Sequence, residues 1–155
     1  MLRVTKLTDY ATVVMTVMAA HSRNAPDAVL SASELAERAG LETPTVAKVL
    51  KPLAQAGLVE GFRGAHGGYR LAREAARISL IEIVEAMEGP LAMTECSLHA
   101  DSCGIEQSCG VRANWNRIND VVIDALRGVT LAHMLAPPPP KPHPTKRIDL
   151  RLATT

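Results

Sequence analysis

The strongest constraint on the fold lies between Ser31 and Leu71. Ser31-Ala32-Ser33-Glu34 is a capping box, in which the serine side chain can cap the backbone near Glu34 while the glutamate reaches back. It opens a helix that stops at Gly40. Thr43-Pro44 then reads as an N-cap followed by proline at the first helical position. The second helix carries Val46, Val49, Leu50 and Leu53 on one face. Two short helices joined by a tight glycine-containing turn make a helix-turn-helix. Pro52 conflicts with a longer second helix and is expected to kink or end it.

Leu58-Val59-Glu60-Gly61-Phe62-Arg63 follows after Ala56-Gly57. A turn, Gly64-Ala65-His66-Gly67, and a second strand, Gly68-Tyr69-Arg70-Leu71, complete a β-hairpin with glycines where positive φ is expected. A helix-turn-helix running straight into a hairpin has the arrangement of a winged helix. The expected fold class is therefore mainly α with a small β-hairpin wing.

Ahead of this unit, residues 7–20 have apolar side chains at Leu7, Tyr10, Ala11, Val14 and Met18, and also at Val13, Met15 and Val17. They predict a helix buried on most sides. After the hairpin, a second capping box (Ser79 with Glu82) opens a helix that ends at Glu88-Gly89-Pro90. Residues 91–110 read as a loop. From Val111 to Leu135 a long helix is expected, with a seam of Trp115, Ile118, Val122, Ala125 and Val129. So long a stripe at the edge of a small domain predicts a symmetric homodimer. The tail, Pro137 to Thr155, holds six prolines in eight residues and is expected to be extended. The expected division is a DNA-binding domain over 1–90, a cysteine loop over 91–112, a dimerisation helix over 113–136 and the tail over 137–155.

Composition narrows the function. Aromatic residues are 3% of the 155, which argues against base stacking on single strands and against an aromatic-lined ligand pocket. The formal charge of +1 conceals a basic 1–73, an acidic 74–136 and a basic tail. A polyanionic partner is expected to meet the N-terminal part. The uncharged run from Tyr10 to Ala20 is too short to span a bilayer, so no membrane partner is expected. No nucleophile–base pair, phosphate loop or paired carboxylates stand out, so neither an enzyme nor a small-molecule substrate is expected.

The first turns of the second helix would bring Thr43, Thr45 and Lys48 to base edges in a major groove, with Lys51 placed for a phosphate. The wing offers Arg63, His66 and Arg70 to the backbone or minor groove. The bland reading of the same cations is a solvated face.

Cys96, Cys103 and Cys109 fall within fourteen residues. An odd, clustered set suits a reducing cytoplasm and a metal or redox site better than a disulfide framework. The spacing lacks the two-residue gap common in zinc sites and is compatible with an iron–sulfur cluster. It leaves a thiol redox site, zinc and inert cysteines open.

Leu35-Ala36, Ala56-Gly57-Leu58-Val59 and above all Arg63-Gly64-Ala65-His66-Gly67-Gly68-Tyr69-Arg70-Leu71 resemble the signature of the Rrf-two family of bacterial transcription regulators. Lys6-Leu7-Thr8-Asp9-Tyr10-Ala11 and the stretch from Leu91 to Cys109 match as well, so the resemblance covers about residues 1–136. Thr94-Glu95-Cys96-Ser97 and Trp115-Asn116-Arg117-Ile118-Asn119 look most like the subgroup of regulators of SUF iron–sulfur assembly. The resemblance implies binding to a palindromic duplex operator and an iron–sulfur cluster on the three cysteines, of the 2Fe–2S or the 4Fe–4S type. In one branch of the family a histidine three residues after the last cysteine is the fourth ligand; here that position is Arg112. In the nitric-oxide-sensing branch an aspartate of the partner subunit serves, and Asp9 matches it. His99, Asp101 and Glu106 are alternatives. A cluster-free thiol sensor, a nitric-oxide-sensing regulator, and a metal-storing or interaction module with a vestigial helix-turn-helix are the rival readings.

Overall fold

A computed structural model describes residues 4–98, 104, 105 and 108–137; the side chain of Cys96 is outside that description. Helix α1 spans Lys6–Ser22, α2 Ala32–Ala39 and α3 Thr43–Gln55; strands β1 (Val59–Phe62) and β2 (Gly68–Leu71) follow. After a 3₁₀ turn at Ala75–Arg77 come α4 (Leu80–Glu88), the one-turn α5 (Glu95–Leu98), α6 (Arg112–Gly128) and α7 (Leu131–Leu135). This is the mainly helical winged-helix class expected, with one antiparallel hairpin among the described residues.

The core is aliphatic. Val14, Met15 and Met18 of α1 pack with Leu35 of α2, with Val46, Val49, Leu50 and Leu53 of α3, and with Ile83 of α4. Burying each such side chain contributes about 1.5–3 kcal/mol. Helix α1 is buried along one face and not on most sides: Leu7 is exposed, and Val13 and Val17 are only partly covered.

Both capping boxes form as expected, at Ser31 with Glu34 and at Ser79 with Glu82. The Ser31 backbone and hydroxyl donors hold the Glu34 carboxyl below the usual carboxylate range. Gly40 terminates α2 in the left-handed region, at φ 65° and ψ 33°, where a side chain would be strained. The start of α3 differs from expectation by one residue. Its N-cap is Glu42, whose carbonyl accepts from the amides of Thr45 (2.9 Å) and Val46 (3.1 Å). Thr43 is thus the first helical residue, and its hydroxyl is not used for capping. Pro52 does not end the helix. It removes one donor, but Leu53, fully buried one residue later, fixes the last turn, and the Pro52 carbonyl accepts from Ala56 N–H.

The hairpin pairs Val59 with Leu71, Glu60 with Arg70, Gly61 with Tyr69 and Phe62 with Gly68. On its other side β2 is bridged to Leu30, so β1 is the outer strand. Among the wing-turn glycines Gly64 has positive φ, at 111°; Gly68 is required for space instead. A Cβ at Gly68 would stand 2.6 Å from the Leu30 carbonyl oxygen, a backbone atom with no room to yield. Gly68→Ala is expected to destabilise the chain by about 2–3 kcal/mol, read by chemical denaturation. An unchanged midpoint would mean that the Leu30 bridge is not formed.

The long helix breaks. α6 ends at Gly128, Val129 is extended, and Thr130 caps the separate α7. Residues 129–131 lie against 78–80: Leu80 N–H donates to Val129 O (2.8 Å) and Leu131 N–H to Ile78 O (2.8 Å). Leu131 then enters the core, so α7 closes over α1 and does not extend the seam. Glycine's poor helix propensity and this pairing jointly favour the break. The loop over 91–110 likewise contains a helical turn, α5, that the sequence does not announce.

Candidate nucleic-acid interface and cysteine loop

The buried stripe of α3 leaves Thr43, Ala47, Lys48 and Lys51 exposed on its outer side, with Thr45 half-buried at the edge. α3 contains no acidic residue, so the only charges its outer side carries are those of Lys48 and Lys51. The wing tip carries Arg63 and His66, both exposed. Lys48, Lys51, Arg63 and His66 make no ion pair or side-chain hydrogen bond among the described residues. Four of the expected contact groups are therefore available to an external anion.

Arg70 is different. Its Nε donates to Glu60 Oε2 at 3.1 Å, another guanidinium nitrogen lies 3.7 Å from Asp27 Oδ1, and the guanidinium carbon stands 4.8 Å from the Phe62 ring centroid. Residue-type reasoning misses these partners, although the hairpin register places Glu60 directly opposite Arg70.

The cysteine loop is braced by α6. Buried Asn119 accepts from the Met93 amide through Oδ1 (3.0 Å), and Asn116 Oδ1 accepts from the Ser97 hydroxyl (2.9 Å). The turn that carries Cys96 is thereby held against the first half of α6. Cys109 is half-buried three residues before that helix, and its carbonyl accepts from the Arg112 amide. Cys103 lies outside the described residues, as do His99, Asp101 and Glu106. No three His, Cys, Asp or Glu side chains group as a metal site among the described residues. The donor set nonetheless fits an iron–sulfur cluster chemically: soft thiolates on a segment anchored at both ends to one helix.

Asp9 is exposed on α1 and lines an apolar groove of about 680 Å³ between α1, α4 and α6, with Leu80, Val84, Val122 and Leu126. Glu88 fixes this end of α1: its carboxylate accepts from the Thr5 amide (3.1 Å) and from the hydroxyl of buried Thr8. Hydrogen bonds from Thr5 and Thr8 hold the Glu88 carboxyl below its usual range. Beside the groove, α6 exposes Trp115 (39%), Ile118 (44%) and Val121 (63%). Of the expected seam, Val122 turns into the groove and Val129 into the pairing with α4.

A helix pair with a cationic, unpartnered outer face and a hairpin wing defines a winged-helix DNA-binding regulator. More particularly, the chain belongs to the Rrf2 family, whose model, described as an iron-dependent transcriptional regulator, matches residues 4–137. It is similar to protein aau3 of Rhizobium meliloti, 34% identical over 131 residues that cover 84% of this chain and 82% of the relative. The regulator IscR of Vibrio vulnificus is 28% identical over 127 residues, covering 82% and 73%. Among solved structures, CymR, the global cysteine regulator of B. subtilis, superposes with TM-score 0.66 at 27% identity, covering 87% and 97%. The IscR of T. potens does so with TM-score 0.62 at 30% identity, covering 86% of each chain. Among the described residues no helix is long and apolar enough to cross a membrane.

Proposed function

We propose that this regulator acts in the cytoplasm as a homodimer on a palindromic duplex operator, with operator binding controlled by an iron–sulfur cluster. Iron–sulfur assembly genes are the expected targets and repression the expected sign. The observation that carries the DNA-binding half is the cationic outer face of α3, opposite Val46, Val49, Leu50 and Leu53. Thr43, Thr45 and Lys48 would reach base edges, Lys51 a phosphate, and Arg63 and His66 the flanking backbone or minor groove. Two copies of α3 must face one side of the duplex, so a small change in the angle between them alters affinity.

Cys96, Cys103 and Cys109 would hold the cluster, with Asp9 from the partner subunit as fourth ligand. When bound, the cluster supplies iron–sulfur bonds that oxidants can break. The chain's own part would be mechanical: Cys96, Cys103 and Cys109 would tie the 91–110 loop to a common centre, and Asp9 would tie the partner's α1 to the same place. Loss of those bonds would free both elements. Switching from mostly bound to mostly free needs a differential affinity of about 5 kcal/mol, within reach of lost ligand bonds. The braces from Asn116 and Asn119 and the anchoring of α1 by Glu88 support this reading, as does the likeness to IscR proteins.

A second reading, a cluster-free thiol sensor, is favoured by the likeness to CymR, of which the Staphylococcus aureus protein has been solved in an oxidized form (TM-score 0.61, 25% identity). A colourless anaerobic preparation whose DNA binding responds to peroxide would support it.

Footprinting on the organism's own promoters tests the DNA-binding half: a protected palindrome is expected, and no protection would favour an interaction module. Lys48→Ala is expected to weaken operator binding about tenfold, measured by fluorescence anisotropy, with cluster spectra unchanged. Unchanged affinity would mean that α3 does not meet the duplex.

A further inference from the structure

Arg70 is a wing cation that the protein already uses. It gathers three partners from three places: Glu60 across the hairpin, Phe62 at the end of β1, and Asp27 in the connection between α1 and α2. Its side chain is 34% exposed, whereas Arg63, seven residues earlier, is exposed and unpartnered among the described residues. Among the described residues the four-residue outer strand β1 pairs with β2 and with no other strand, and beyond buried Val59 its side chains are exposed, so its outer end depends on contacts across the hairpin. Arg70 therefore sits where a cross-strand ion pair and a cation–π contact tie the outer end of β1 to β2, while the Leu30 bridge and buried Val59 join the hairpin to the body.

We infer that Arg70 is a positioning residue for operator binding: through Glu60 and Phe62 it sets the wing that carries Arg63 and His66, and it does not itself contact the duplex. The inference rests on the duplex-binding reading above. A wing without this tie must be ordered at the moment of binding, and that ordering is lost from affinity.

Glu60 gives a test of sign. Removing a carboxylate beside a polyanion tightens binding by simple electrostatics, and it tightens further if Glu60 restrains a phosphate-contacting arginine. If Arg70 acts through Glu60, the sign reverses. The experiment uses the whole 155-residue chain and a duplex carrying the footprinted promoter sequence, with affinity measured by anisotropy over a series of salt concentrations. Backbone amide exchange is followed over residues 61–69. Glu60→Gln is expected to weaken binding about threefold and Arg70→Gln about fivefold, with the double variant no weaker than Arg70→Gln. Arg70→Lys should behave like Arg70→Gln, the salt slope should stay at the wild-type value, and wing amides should exchange faster in every variant.

Tighter binding by Glu60→Gln overturns the inference, as does a salt slope lowered by about one unit in Arg70→Gln, the mark of a lost phosphate contact. Failure of the wild-type chain to bind any duplex is a separate result. It removes the duplex-binding reading, while the exchange measurement still decides whether Arg70 holds the wing: unchanged wing exchange would show that it does not.

Discussion

Replacing Cys103 by serine is expected to abolish the visible absorption of anaerobically purified protein and to reduce bound iron to a small fraction of the wild-type content. Serine keeps nearly the same shape but offers a hard, protonated oxygen in place of a soft thiolate. On the proposed ligand set, loss of one of three thiolates would leave two and a carboxylate, too few to hold the cluster. The fold should survive, because no described residue of the 91–110 loop belongs to the core of α1–α4 and α7. Far-ultraviolet circular dichroism and an elution volume matching the wild-type chain are the controls. Full cluster content in Cys103→Ser would refute its ligand role.

Ile118→Glu is expected to convert the proposed dimer to monomers and to lower operator affinity by roughly a hundredfold or more. Ile118 is 44% exposed in a single subunit, beside Trp115 and Val121 on the outward side of α6. Three large apolar side chains in one stripe are poorly accounted for in a lone chain. In a symmetric dimer each glutamate would be buried without a partner, a cost of about 3–5 kcal/mol per site. Losing the dimer forfeits the effective concentration that two linked reading heads give on a palindrome. Sedimentation equilibrium reads the first effect and anisotropy the second. A variant that stays dimeric with native affinity would place the subunit contact elsewhere.

The reading unit was legible because its signals are local. Ser31 with Glu34, Ser79 with Glu82, and Gly40 each act within one turn of chain, and all operate as their residue types demand. The hairpin was legible for the same reason, although Gly68 serves a close approach to Leu30 and not an unusual φ. What escaped depends on distant chain. Pro52 does not end α3, because Leu53 is held in the core. The break at Gly128 is fixed by pairing with residues 78–80, about fifty positions away, although Thr130 with His133 is a local capping signal that could have been read. At the site, the outward face of α3 follows from helical spacing alone. The protein partners of Arg70, the bracing of the cysteine loop by Asn116 and Asn119, and the tie of Glu88 to α1 do not, since each joins elements that only folding brings together.

The central claim, that Cys96, Cys103 and Cys109 share an iron–sulfur cluster, is tested most directly by a visible spectrum with iron and acid-labile sulfide quantitation on protein purified without oxygen. The account predicts a coloured protein with iron and sulfide in near-equal amounts, at least two of each per subunit. Colourless protein with neither, its three thiols all titratable, would contradict it.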